Sequence, residues 1–443
     1  MKLNTAPVHR EKTHEGGRAV SHQKPVLELE RAVATCLLFE NTFYEKGNDI
    51  AERIALLCEQ VPVEQVAALA IKARNEYKLR HVPLFLCVQL SELARGRTDG
   101  LVRQTLEAVI QRPDEMGEFI AQYRKDGKRP LSGQVKKGLR AAFGKFSAYQ
   151  FQKWDRDSAF KIRDVMFMVH PKPTDTELYK QIAERTIPPA DTWEVALSAG
   201  NDKKEAWERL LKEAKLGYMA LLMNVRNMEQ AGVDRSLVES ALKAGAPKSR
   251  ALPFRFISAF KAAPSYAQAL SEAMITAIAG VERLQGSTAL VVDVSGSMDG
   301  KLSAKGELMR LEAAGALAIL LREMCDSCRV FTFSNQLIEV PNLRGIGLMQ
   351  GIHGSQPHGG TQLAGSLRLL QRHMPAIDRL IVITDEQSHD GNVRMWAKHG
   401  YIVNVAPYKP GLELNGGWHR VNGWSERIVD WIRTEEQLAA TDE

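Results

Sequence analysis

Thr288-Ala289-Leu290-Val291-Val292-Asp293-Val294-Ser295-Gly296-Ser297-Met298 is the stretch on which the fold of the C-terminal part turns. Thr288 to Val294 is an apolar run of strand length, as in a strand buried on both faces, and a carboxylate and two hydroxyls follow at alternate positions. Downstream the pattern alternates. Helices are predicted over Glu307 to Met324, Gln362 to Met374 and Ser425 to Leu438, and strands over Arg329 to Phe333, Arg379 to Thr384 and Tyr401 to Ala406. Apolar strands alternating with helices predict a doubly wound α/β domain over 286–443, with ligands beyond the carboxyl ends of the strands.

Those ends carry oxygen. Asp293, Ser295 and Ser297 follow the first strand, Gly359-Gly360-Thr361 opens a helix, and Asp385 ends the strand Leu380 to Thr384. The triplet alone reads equally as a turn capping the next helix. All five groups, in that order on those elements, would converge on one crevice. Two carboxylates and three hydroxyls suit Mg2+ better than an all-carboxylate cage would. The set resembles the metal-ion-dependent adhesion site of von Willebrand factor A domains. The resemblance implies that Ser295, Ser297 and Thr361 bind the ion directly and that Asp293 and Asp385 hold it through water. It also implies that an acidic group from a partner completes the shell.

Upstream, Leu27 to about Leu284 is a succession of amphipathic helical patterns with almost no strand signal. Ile50 to Val61, Val63 to Glu76, Pro83 to Ala94, Leu101 to Ile110, Glu205 to Leu216, Gly217 to Ala231 and Val233 to Ala244 are the clearest. Paired helices recurring at about 40 residues predict an all-α HEAT-like helical-repeat array, with an irregular bundle as the alternative. The division expected is a flexible arm over 1–26, a helical-repeat domain over 27–285 and the α/β domain over 286–443. The arm, with His9, His14 and His22, has no apolar leader pattern. The most apolar helix, Ala263 to Leu284, is broken by Pro264, Glu272 and Glu282, so no membrane span is predicted.

The net charge of +6 is unevenly spread. Residues 1–286 hold 44 Lys plus Arg against 35 Asp plus Glu, and 287–443 hold 15 against 18. The window 121–172 alone holds 13 basic and four acidic residues, numerically the whole surplus. Such a concentration is a footprint for polyanions, of which nucleic acid is the commonest, although a merely solvated face has a similar composition. Lys136, Lys137, Arg140, Lys145 and Lys153 could contact phosphates. Phe143, Phe146, Tyr149, Phe151 and Trp154 interleave with them, as base-stacking residues or, more commonly at helical spacing, as core. A second basic stretch comprises Lys243, Lys248, Arg250, Arg255 and Lys261.

A helical-repeat part followed by a von Willebrand A domain resembles the Ro family, whose N-terminal part is the TROVE module. Glu30-Arg31-Ala32 through Asn41-Thr42-Phe43-Tyr44 looks like its opening helix and loop, and Val135-Lys136-Lys137-Gly138-Leu139-Arg140 looks like its basic helix. Lys153, Trp154, Arg156, Lys161 and Arg163 lead to Val169-His170-Pro171-Lys172-Pro173, similar to the family's Ser-His-Leu-Lys-Pro segment but with Val169 and Pro171 departing from it. The resemblance implies a ring with a positive hole that takes misfolded or single-stranded RNA ends, and an outer basic surface for Y-like noncoding RNA. Lys136, Lys137, Arg140, Lys153, Arg156, Lys161, Arg163, His170 and Lys172 are the residues it assigns to RNA. It further implies a cytoplasmic monomer that works in RNA quality control, maturation or decay with a 3′ exonuclease such as polynucleotide phosphorylase.

The five cysteines, Cys36, Cys58, Cys87, Cys325 and Cys328, are odd in number and scattered, which fits a reducing compartment. Cys325-Asp326-Ser327-Cys328 is a CxxC without a second copy, at a helix end before a strand, and is read as structural. His353, His358 and His373 are not spaced as ligands on one helix and receive no role. Two rival functions remain. A metal-dependent protein scaffold would not require the charge in 121–172. A hydrolase or nuclease would need more metal-binding carboxylates than Asp293 and Asp385, even with Glu386 counted as a third, so no enzymatic activity is expected.

Overall fold

The computed structural model describes residues 25–35, 47–125, 127, 129–155, 158–173, 175–188, 193–198, 202–249, 251–280, 282–302, 308–386, 393–405, 414–415, 417–422 and 428–442. The N-terminal arm up to Lys24, Cys36, the Thr42-Phe43-Tyr44 loop, Arg156 and Arg250 lie outside the described residues. Two compact units emerge. One comprises Pro25–Ala34 with Ala51–Leu216, and the other contains Gly217–Glu443.

Among its described residues the first unit contains helices and no strand. Helices Val63–Asn75, Leu101–Val109 and Gly133–Phe143 stack in succession, while His81–Leu93, Pro113–Tyr123 and Ile162–Val169 stack in a second row. Alternate helices in two rows are the arrangement of an αα solenoid, in which each pair covers its apolar face only with its neighbours. Gly138 shows how closely helices pack within a row, since a Cβ there would lie 2.9 Å from Leu106 Cβ and 3.1 Å from the Arg103 carbonyl. Ionic ties cross the rows. Arg74 donates to Glu115 at 2.6 Å and to the Val109 carbonyl at 3.0 Å, while Glu115 accepts from the backbone of Gln111 and Arg112. Burial raises the Glu115 carboxyl and lowers Arg74 against their mutual attraction, so this pair fixes register more than it adds stability.

In the second unit, helices Tyr218–Gln230, Arg235–Gly245, Pro253–Ala262 and Ala267–Ile278 repeat the alternation, first with third and second with fourth. The strands that follow are β1 (Leu284–Asp293), β2 (Cys325–Phe333), β3 (Leu337–Glu339), β4 (Arg379–Thr384), β5 (Val393–Arg394), β6 (His399–Asn404), β7 (Leu414–Asn415) and β8 (Trp418–Asn422). Six form one sheet in the order β3-β2-β1-β4-β6-β8, parallel except at the β2–β3 edge, and β5 pairs with β7 apart from it. Helix Leu363–His373 packs Leu363, Leu367 and Leu370 against Ala289, Val291, Phe331 and Val382 on one face. Helix Arg310–Met324 is apolar on nearly every side and buried, as a helix enclosed by neighbours must be. The strand order reverses between β1 and β4, so the crevice beyond their carboxyl ends is the topological switch point.

The helices just before the sheet pack on helices Arg310–Met324 and Gly345–His353, which follow β1 in sequence. Lys261 pairs with Glu312 at 2.7 Å, and Ser271 Oγ accepts from the Ile346 amide at 3.2 Å. Residues 217–278 therefore share a compact unit with the sheet, whereas composition changes only at Gln285-Gly286-Ser287.

Candidate metal centre and basic face

β1 delivers Asp293 to the switch point. The β1–β4 register pairs Val292 with Ile383, which sets Asp293 beside Thr384, and Thr384 Oγ1 donates to Asp293 Oδ2 at 2.6 Å. The Ser295 amide donates to Asp293 Oδ1 at 2.9 Å, so both carboxylate oxygens are oriented before any ligand arrives. Ser295 Oγ and Ser297 Oγ stand 3.2 Å apart, and the turn continues as a short 3-10 segment, Gly296–Asp299.

The loop carrying Thr361 is bonded to this turn. Gly296 donates to the Gly359 carbonyl at 3.1 Å, while Ser334 Oγ accepts from the Gly359 amide at 2.8 Å and Asn335 Oδ1 from the Gly360 amide at 3.0 Å. A Cβ on Gly359 would come within 2.4 Å of Asn335 Nδ2, so a larger residue there would displace the Asn335 side chain that accepts from the Gly360 amide. Asp385 follows β4 and is fully buried, as is Asp293. Burial, reinforced by the charge of Asp385, pushes Asp293 up to about 7.

Asp293, Ser295 and Ser297 share one turn, to which the loop before Thr361 is hydrogen-bonded, and carboxylates with hydroxyls are donors of the kind a small divalent cation such as Mg2+ takes. Among the described residues no group of three or more His, Cys, Asp or Glu could hold a metal, so a cation here would depend on the hydroxyls.

Sequence reasoning missed Arg310. It begins the helix Arg310–Met324, is 7% exposed, and its Nη1 donates to Asp385 Oδ2 at 3.1 Å and to the Ser297 carbonyl at 3.0 Å. A cation at a helix N-terminus opposes the macrodipole, and that local mismatch was the available signal. Glu386, at φ +56°, is held by Arg420 at 3.0 Å on β8. His358 meets Asp299 at 2.9 Å and the His353 carbonyl at 3.0 Å, a loop tie outside the oxygen set.

In the other unit, the basic residues sort into two groups. The helix Gly133–Phe143 exposes Lys137 and Arg140 and leaves Lys136 half-buried. Arg140 Nε donates to the Val169 carbonyl, bringing this helix to the turn His170-Pro171-Lys172. His170 caps the helix Ile162–Val169 at φ +51°, and its side chain, like that of Lys172, is exposed. Arg163, half-buried, lies 5.6 Å over the ring of Phe167, which is 50% exposed. Lys153 forms the second group. Its Nζ is 3.4 Å from Tyr149 Oη and lies over Tyr149 and Trp154, and Arg112 stacks on Trp154 at 3.4 Å. Lys161 is half-buried at the start of its helix.

Several expected contacts turn out to be internal. Phe143, Phe146 and Phe151 pack against one another in the core, leaving Tyr149 as the exposed aromatic of that run. Lys145 Nζ donates to the Ile110 carbonyl at 2.6 Å and caps a helix end instead of awaiting phosphate. Lys261 is committed to Glu312.

Residues 183–278 match the TROVE domain family model. The TROVE match lies after the basic helices and ends before β1. The chain is similar in fold to a Ro protein: 93% of it superposes on 100% of the Ro (Rsr) protein of Deinococcus radiodurans, with a TM-score of 0.64 and 17% identity. A stretch of 74 residues is 35% identical to telomerase protein component 1 of Mus musculus, covering 16% of this chain and only 3% of that protein. TROVE segment and Ro fold together coincide with the family that the motifs resemble.

Proposed function

We propose that this chain is an RNA-binding protein whose basic helical face takes Y-like noncoding RNA and single-stranded ends of misfolded RNA. It serves RNA quality control, maturation or decay within a ribonucleoprotein, alongside a 3′ exonuclease such as polynucleotide phosphorylase. The observation that supports the reading is the Arg140–Val169 hydrogen bond, which ties the helix bearing Lys136 and Lys137 to the residue before the His170-Pro171-Lys172 turn. Among the described residues no carboxylate pairs with Lys136, Lys137 or Lys172, so these cations can replace counterions along a phosphate backbone. Exposed Tyr149 and Phe167, each beside a cation, offer stacking faces to unpaired bases.

In the same reading Asp293, Ser295, Ser297, Thr361 and Asp385 would hold Mg2+, which would supply a Lewis acid for an acidic group of a partner protein. The chain's own contribution is orientation: Thr384 and the Ser295 amide fix Asp293, and Arg310 fixes Asp385. No residue is assigned a catalytic role.

The test is a gel shift of the full chain with a structured RNA bearing a single-stranded 3′ end, across a salt series. Lys136→Ala/Lys137→Ala should weaken binding and flatten the dependence of log K on log salt by about 0.7 to 0.9 per lost contact. Absence of wild-type binding at low salt would overturn the reading in favour of a protein scaffold.

A further inference from the structure

The loop between helices Gly345–His353 and Leu363–His373 carries Thr361 to the crevice. Ser355 Oγ shares a hydrogen bond with Thr332 Oγ1 at 2.8 Å, Gln356 Nε2 donates to the Gln336 carbonyl at 3.1 Å, and the Gln362 amide donates to the Ser334 carbonyl at 2.9 Å. These bonds hold the loop to β2 and to the residues that join β2 to β3. Its ties to the turn after β1 are of another kind. Besides the bond from the Gly296 amide to the Gly359 carbonyl, the side chain of His358 reaches across. Its Nδ1 stands 2.9 and 3.0 Å from the two carboxylate oxygens of Asp299, and its Nε2 stands 3.0 Å from the His353 carbonyl.

Both partners are acceptors. A carboxylate and a peptide carbonyl have no proton to give, so each ring nitrogen must carry one, and imidazolium is the state that satisfies the two contacts together. The carbonyl belongs to the last residue of helix Gly345–His353, where an N–H caps an orphan acceptor and the negative end of the dipole favours a cation. Burial lowers the imidazole; the bonds to Asp299 and to the His353 carbonyl, with the charge of Asp299, outweigh it and hold His358 above its ordinary 6.5. Among the described residues, the titratable groups that face it are Asp299, from the turn, and His353, whose ring stands edge-on at 5.0 Å from the end of its helix. The β2–β3 loop, Ser334-Asn335-Gln336, is neutral.

We propose that His358 is a proton-operated clasp, a positioning residue that as imidazolium fastens the loop bearing Thr361 to the turn bearing Ser295 and Ser297. Loss of the proton leaves the ring a single N–H. A neutral ring keeps it for the carboxylate, the stronger acceptor, and turns a lone pair on the His353 carbonyl. The end of helix Gly345–His353 and the loop that leaves it are then repelled from the ring. Because the folded value lies above the unfolded one, the clasp's contribution is present in full below the unfolded value and is lost as pH rises through the folded one. The mouth of the crevice is therefore fastened in mildly acid solution and loosens as pH rises. The clasp involves no cation, so it stands or falls apart from the Mg2+ reading.

The test uses the full chain in EDTA. Imidazole NMR with isotope-labelled histidine follows each ring through a pH series, and the signal missing from His358→Ala identifies His358. That ring should keep both protons to a pH above 6.5, and Asp299→Asn should lower its titration. The proton held by Asp293 over a similar range gives no imidazole signal and does not interfere. Hydrogen exchange read by mass spectrometry follows the loops. At about pH 6, peptides covering Gly296 and Gly359 should exchange about tenfold faster in His358→Ala than in the wild type, and the difference should shrink at about pH 9. If His358→Ala does not fold, Asp299→Asn assigns the signal by its shift and takes its place in the exchange comparison. Titration of His358 at or below 6.5, equal exchange at the lower pH, or a difference that stays constant with pH would overturn the proposal.

Discussion

Arg310 Nη1 lies 3.1 Å from Asp385 Oδ2 in a crevice where both side chains are almost fully buried. With Asp293 close by, the guanidinium is a built-in counter-charge to two carboxylates. Replacing it by alanine removes this cation from Asp385 while the carboxylate stays buried. Arg310→Ala should cost about 3 to 5 kcal/mol in urea unfolding, the range for breaking a buried pair. Added Mg2+ should restore part of that loss. A variant as stable as the wild type would show that the pair carries no such charge balance.

The raised Asp293 gives the crevice a pH signature. Its folded value is about 7 against an ordinary 3.8, so between those values the folded chain holds a proton that the unfolded chain releases. Without divalent ions, this group's contribution to stability is present at low pH and lost as pH rises through about 7. Mg2+ favours the carboxylate, so its stabilising effect should grow over the same window. Thermal melts at about pH 5 and about pH 8, with Mg2+ or with EDTA, measure both trends. No Mg2+ effect at the higher pH would remove the case for a cation site.

Lys137 and Arg140 should behave differently. Lys137→Ala should weaken RNA binding evenly across sequences and reduce the salt slope by about one contact. Arg140→Ala should also release the Val169 carbonyl and loosen the His170 turn, so protease nicking near Lys172 should increase in that variant alone. Equal proteolysis in both would mean that the hydrogen bond does not anchor the turn.

Gly138 offers a test that leaves every charge in place. A methyl group there must push Leu106 and the Arg103 carbonyl aside. Gly138→Ala is expected to destabilise by about 1 to 3 kcal/mol, the ordinary cost of overpacking, and to weaken RNA binding by displacing the helix that bears Lys136 and Lys137. Denaturant titration and the gel shift read the two effects separately.

Long periodic elements were legible in the sequence. Val63 to Glu76 was expected and Val63–Asn75 is helical; Arg379 to Thr384 was expected as a strand and β4 has those limits. Such segments declare themselves because one apolar periodicity runs their whole length. β3 and β8 were invisible, being short edge strands whose pairing depends on neighbours distant in sequence. In the crevice, Asp293 and Asp385 were legible as residues that follow strands, and β1 and β4 are neighbours in the sheet, so topology alone brings their ends together. Arg310 was not, since its partner is 75 residues away and its position opposes the helix dipole. The basic face was legible as charge but not as contacts. Only packing could show that Lys145 is spent on a helix end while Lys137 faces outward.

The Lys261–Glu312 and Ser271–Ile346 ties have a practical bearing on any truncated version of this protein. A fragment starting at Gly286 would sever β1 near its beginning and strip helix Arg310–Met324 of the helices that cover it. What it newly wetted would be apolar, and the product should aggregate. A fragment starting at Gly217 keeps that cover, and is the natural unit in which to study the crevice apart from the basic helices.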